Sequence, residues 1–176
     1  MIQIGAPPDS GFDDPLGILA DCHRRIERFL DVLCRIATNS QCRELTSQEA
    51  EAVVAALRYF RESGVRHNAD EEESLFPRLR GLDATIVAEV DALEAEHQRA
   101  SMLHATIERS FHIWLVTGSV TAADCGVLAA DANKLRKLYQ AHIETEEQLI
   151  FPRAAVLLDP SAIAEMGAEL KARRAT

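Results

Sequence analysis

The sequence predicts an all-α protein, an up-down-up-down antiparallel four-helix bundle with a short C-terminal helix, and three observations carry that prediction. Apolar residues recur at helical spacing through four long stretches. The links between the stretches are short and leave no length for a crossover. Strand signals are scarce: period-two alternation is rare, aromatic residues make up 5% of the chain, and no Asn-Gly or Asp-Gly pair occurs.

Residues 1–12, with Gly5, Pro7, Pro8 and Gly11, read as an irregular lead-in. Asp13 or Asp14 then caps a first helix with Pro15 in its first turn, and Leu16, Leu19, Ile26, Leu30, Leu33 and Ile36 give it an apolar stripe ending near Thr38. Thr46-x-x-Glu49 has the form of a capping box opening a second helix, with Val53, Val54, Leu57 and Phe60 on its stripe. Gly64 is placed to bend this helix, and Pro77 and Gly81 end it. Asp83 is expected to cap the third, which runs through Val90, Leu93, Ile107 and Trp114 to about Val116. Gly118 breaks the chain, Thr121-x-x-Asp124 recaps it, and a fourth helix runs towards Pro152. Asp159-Pro160 marks a last break. The expected organisation is a bundle over 13–159 and a tail helix over 160–176, rich in Lys and Arg, covering the bundle end.

The 176 residues suffice for one domain with a sizeable core. A net charge of -9 without a basic patch argues against a nucleic-acid partner. No apolar run is long enough to cross a bilayer and Met1 to Ser10 lack the features of a signal peptide, so the expected location is cytoplasmic and no membrane partner is expected. The four cysteines, Cys22, Cys34, Cys42 and Cys125, have no CxxC spacing and are expected to be free thiols, although Cys42 and Cys125 share one end of the bundle, where a redox pair is conceivable.

The chemistry lies in a repeat. His67-Asn-Ala-Asp-Glu71-Glu-Glu-Ser-Leu-Phe-Pro77 returns as His142-Ile-Glu-Thr-Glu146-Glu-Gln-Leu-Ile-Phe-Pro152. A histidine and a glutamate four apart share one helix face, so each copy presents an imidazole and a carboxylate to the same region. Counted from the same end of the bundle, His23 is ten residues past Asp13, and His67 and His142 are ten before Pro77 and Pro152, about 15 Å deep. His97, fourteen past Asp83, lies about one turn deeper. Four imidazoles, one per helix, thus approach one level. Unpaired buried charges cost several kcal/mol each, a difficulty that bound metal removes. His23, His67, Glu71, His97, His142 and Glu146 exceed what one tetrahedral zinc needs and suit two bridged iron or manganese ions.

With these residues in place, the chain resembles the hemerythrin-like (HHE cation-binding) family over about residues 13–155. The resemblance rests on the two His-x3-Glu-Glu-x3-Phe-Pro runs, the single histidines of the first and third helices, and the segments around Pro15 and His23. It implies a four-helix bundle with two non-haem iron ions, manganese and zinc being the alternatives. Oxygen-carrying members have a fifth histidine four residues from another on the third helix; here those positions hold Leu93 and Ser101. The chain therefore looks more like the bacterial four-His, two-Glu type, and reversible oxygen carriage is not expected. Those members' five-residue spacing from histidine to carboxylate makes Glu147 an alternative to Glu146. Two function classes follow: a protein binding iron and a small ligand such as dioxygen, nitric oxide or peroxide for sensing, iron handling or stress response, or a di-iron enzyme or iron donor acting on nitric oxide or peroxide or in iron-sulfur cluster repair. The binding class is the expectation.

His104, two turns beyond His97 on the same face, is a candidate channel lining or proton donor, with a polar rim histidine as its simpler reading. Tyr139, one turn before His142, is a candidate hydrogen-bond donor to a metal-bound species, with packing the simpler reading. His112, Phe76, Phe151 and Trp114 are expected to be structural.

Overall fold

The computed structural model describes residues 10–175, so most of the lead-in, residues 1–9, lies outside the described residues. Helix α1 spans Pro15–Asn39; Asp14, not Asp13, is its cap, accepting from the Gly17 amide. The second rod, residues 47–82, is segmented. Helix α2 (Ser47–Tyr59) opens on the complete Thr46/Glu49 capping box. It passes through a π-helical turn, Phe60–Gly64, into α3 (Val65–Asp70), then a second π turn, Glu71–Leu75, into α4 (Phe76–Leu82). The third rod begins with a 3₁₀ turn, Ala84–Ile86, capped by Asp83, and continues as α5 (Val87–Thr117) to Gly118, whose φ of 75° ends it in the left-handed region. Helix α6 (Ala122–Thr145), a π turn (Glu146–Ile150) and α7 (Phe151–Leu157) form the fourth rod, and α8 (Pro160–Ala175) follows.

Helix α1 packs on α2 and α6, and α5 packs on α6 and α2, so the four rods close into a bundle with sequential neighbours side by side. The described residues contain no strand, and none of their helices is long and apolar enough to cross a membrane.

Two of the three π turns start at the motif glutamates. Phe76 and Phe151 donate their amides to the Glu71 and Glu146 carbonyls, five residues back. The next residues, Pro77 and Pro152, have no N–H for the carbonyl four residues back, so the ladder changes register there at least cost. At Gly64 the expected bend takes the form of a π turn, and a Cβ there would already stand 3.4 Å from the Phe60 ring.

The interior has three layers. One apolar cluster is built from Ile26 to Ala37, Val53 to Phe60, Ala100 to Trp114 and Cys125 to Ile143. The other takes Ile18 to Cys22, Leu75 to Leu79, Ile86 to Leu93, Ile150 to Leu158, and Met166 and Leu170 of α8. Along every rod, the gap between the two apolar stretches contains or borders motif histidines or glutamates, all buried. Helix α8 lies against α1, α3 and the first motif turn. Buried Asp70 anchors it, accepting from Arg173 at 2.9 Å and Arg174 at 2.7 Å, while Arg78 pairs with Glu169 at 2.8 Å. Gly167 permits the approach of the Phe12 carbonyl, because a Cβ there would overlap it.

Candidate metal centre

All four histidines turn Nε2 inward. His67 Nε2 lies 3.2 Å from Glu71 Oε1, and His142 Nε2 lies 3.4 Å from Glu146 Oε2, the contacts that four-residue spacing on a helix allows. His97 Nε2 is 3.4 Å from Glu71 Oε2, and His23 Nε2 is 3.0 Å from Glu146 Oε2 and 3.8 Å from Glu71 Oε1. Each glutamate therefore faces histidines of both halves of the chain. His97 and His142 approach to 3.0 Å through their Nε2 atoms, and the His23 and His67 rings meet edge to face.

The layer is more level than the residue count predicts, because His97 is not a turn deeper. His97 Nε2 reaches Glu71 at 3.4 Å and His142 Nε2 at 3.0 Å, and the count from Asp83 fails because residues 84–86 form a separate 3₁₀ turn ahead of α5. Phe76 stacks on His97 at a ring separation of 6.3 Å and Phe151 on His23 at 5.4 Å, so both motif phenylalanines wall the centre as well as filling the core.

Burial disfavours charge on every one of these groups, and their neighbours decide the outcome. Against burial, contact with Glu146 and Glu71 lifts His23 to about 10, and Glu71 and Glu72 lift His97 to about 9. Burial is likewise outweighed at His142, raised chiefly by Glu146. At His67 burial prevails and holds the imidazole down at about 4. Burial would raise Glu71 and Glu146, yet the surrounding imidazoles keep both below the ordinary carboxylate range.

The donor set fits cations. His23 Nε2 and all four carboxylate oxygens of Glu71 and Glu146 are buried without a partner in hydrogen-bond geometry. Unpaired buried polar atoms converging on one point are what a metal site leaves when its donors are counted alone. Two groups of four have ligand atoms within 4.8 Å of one another: His23, His67, Glu71 and Glu146, and Glu71, His97, His142 and Glu146. The groups share both glutamates. The hemerythrin HHE cation binding domain model matches residues 14–154. The chain belongs to this family. None of the curated proteins matches it.

In this hemerythrin-family centre Glu147 does not join the inner cluster. Its side chain is 45% exposed, and Oε1 lies 2.9 Å from the outward Nδ1 of His23, whereas Glu146 is fully buried among the Nε2 atoms. Outer carboxylates were not singled out in the sequence: Glu72 Oε1 lies 2.7 Å from His97 Nδ1, and Glu96 Oε2 lies 3.0 Å from His142 Nδ1. A signal for one existed, since Glu72 and Glu147 occupy the same place in the two motif copies. Glu96 has no counterpart in the repeat and is legible only in space.

His104 and Tyr139 hydrogen-bond to each other at 3.1 Å, and both line a cavity of about 220 Å³ with Phe60, Gly64, Asn68 and Ser101. Burial holds His104 at about 4, so it is neutral at pH 7. Tyr139 packs edge to face on His142 and spends its hydroxyl on His104 rather than on the centre. His112 is exposed, not packed. Cys125 is buried and contacts Cys42, both free thiols; burial first, then Cys42, pushes Cys125 up to about 11.

Proposed function

We propose that this chain is a non-haem di-iron protein that holds two iron ions and takes up a small ligand, dioxygen, nitric oxide or peroxide, for sensing, iron handling or stress response. The observation that carries the proposal is the pair of overlapping donor groups sharing Glu71 and Glu146. Two imidazoles and access to both bridging carboxylates for each ion match the borderline character of ferrous iron better than an all-oxygen or all-sulfur set would. One ion would sit with His23 and His67, the other with His97 and His142, and Glu71 and Glu146 would join them. Iron supplies exchangeable coordination positions and one-electron chemistry there.

The protein's own contribution is rigidity and dryness. The two apolar clusters close the layer above and below, and the stacked Phe76 and Phe151 exclude water from the sides of His97 and His23. The cavity beside His104 and Tyr139, the latter one turn from His142, offers space of suitable size for a diatomic ligand. His104, which lines it, is neutral at pH 7 and so is not poised as a general acid there, which supports binding over turnover.

Elemental analysis after anaerobic reconstitution with ferrous iron tests the assignment. The unmodified chain is expected to carry two ions, and a protein with both His67→Ala and His142→Ala to lose at least one. An unchanged content of two in that variant would overturn the ligand assignment. Spectra of the reduced protein in air, nitric oxide and peroxide then separate binding, seen as a stable reversible band, from repeated consumption.

A further inference from the structure

The inner shell of the centre is nearly two-fold symmetric and the outer shell is not. The second glutamate of each motif copy supports the single histidine of another rod: Glu72 reaches His97 Nδ1 at 2.7 Å and Glu147 reaches His23 Nδ1 at 2.9 Å. The phenylalanines follow the same rule, Phe76 on His97 and Phe151 on His23. A third kind of contact exists once. Glu96, immediately before His97, reaches His142 Nδ1 at 3.0 Å. Immediately before His23 stands Cys22, and the matching atom, His67 Nδ1, is buried with no hydrogen-bond partner among the described residues. Cys22 is itself buried, and a cysteine at this position offers no carboxylate to His67.

A carboxylate on the outer nitrogen of a metal-binding imidazole places the proton on Nδ1, frees the Nε2 lone pair, fixes the ring and raises its basicity, and losing one costs roughly ten- to a hundredfold in affinity. Both imidazoles of the His97/His142 half have that support. In the other half only His23 does.

We propose that the two half-sites are therefore unequal: the ion beside His97 and His142 binds first and more tightly, the ion beside His23 and His67 is the labile one, and Glu96 against Cys22 is the pair of positions that sets the difference. Glu72, Glu96 and Glu147 act as positioning residues. The inference rests on the dinuclear reading above and assigns its exchangeable ion.

An anaerobic calorimetric titration with cobalt(II), followed by its visible bands, tests both levels. The unmodified chain is expected to bind two ions in two steps whose affinities differ by roughly ten- to a hundredfold. Glu96→Ala should weaken the first step by about tenfold or more and Glu147→Ala only the second, each with stoichiometry and helical circular dichroism unchanged. Cys22→Asp should tighten the second step and narrow the gap. Glu96 and Glu147 are partly exposed, so their variants decide the matter even if a carboxylate at position 22 prevents folding. Two equal steps in the unmodified chain, or a Glu96→Ala effect confined to the weaker step, would overturn the inference and leave the dinuclear reading standing. Fewer than two ions in the unmodified chain would remove both.

Discussion

Around Trp114 the bundle interior is hydrocarbon: Phe111, Ile107, Leu128 and Leu33 are buried there, and the indole N–H donates to the Arg43 carbonyl at 2.9 Å. Further along the same rods the interior is six ionisable side chains, five of whose inward-facing atoms have no hydrogen-bond partner. The first region gains free energy by removing apolar surface from water, and the second loses it by burying charge. The same helices thus divide the labour: the apolar clusters hold the rods in register, and that register lets an unfavourable layer persist in a form that cations could complete. Stability and metal binding should accordingly respond to different mutations.

Trp114→Ala attacks the stabilising side. It should cost about 3–5 kcal/mol in chemical denaturation, while the protein that remains folded still binds its full complement of metal. Metal loss at unchanged stability would erase the division. Asp70→Ala tests the border between the regions, because Asp70 lies between His67 and Glu71 in the chain but turns to Arg173 and Arg174 of α8. Breaking this partly exposed network should cost about 2–3 kcal/mol, less than a fully buried pair, and expose residues 160–175 to protease before the bundle opens.

The ligand layer predicts a pH dependence for the metal-free protein. His23 and His97 titrate at about 10 and about 9 in the folded state, against about 6.5 when unfolded. Their contribution is therefore complete below about pH 6.5 and is lost as pH rises through 9 to 10. His67, held at about 4, acts in the opposite sense, and its contribution is lost as pH falls from about 6.5 through 4. Thermal melts across this range should show a maximum between the two limits that flattens on metal loading. Proton release on metal binding at pH 7, read from calorimetry in buffers of different ionisation enthalpy, checks the same groups. The smallest effect is expected far from the layer: Thr46→Ala removes the α2 capping box and should cost about 1 kcal/mol without altering metal content.

Much of this architecture is legible in the sequence because it rests on local rules. Thr46 and Glu49, Pro15, Gly118 and the Thr121 cap mark helix ends through backbone requirements that any fold would impose. The doubled His-x3-Glu is equally local, since four residues on a helix define a face. The π turns at Glu71 and Glu146 are not legible in the same way: a proline signals that the hydrogen-bond ladder must yield but not which register it takes. Nor is the 3₁₀ turn at Ala84–Ile86, which stands ahead of α5 where a count from Asp83 takes the chain to be α-helical. Glu146 and Glu147 are neighbours that both look able to reach a metal, and only the orientation of their rod separates the buried one from the one behind His23. Glu96 touches a histidine 46 residues away, a relation that no spacing rule encodes.

The most direct test of the division between scaffold and centre is anomalous scattering at the iron edge from crystals grown after anaerobic reconstitution. Two peaks are expected in the histidine layer, one beside His23 and His67 and one beside His97 and His142, with Glu71 and Glu146 reaching both. A single peak, or peaks outside that layer, would contradict that expectation.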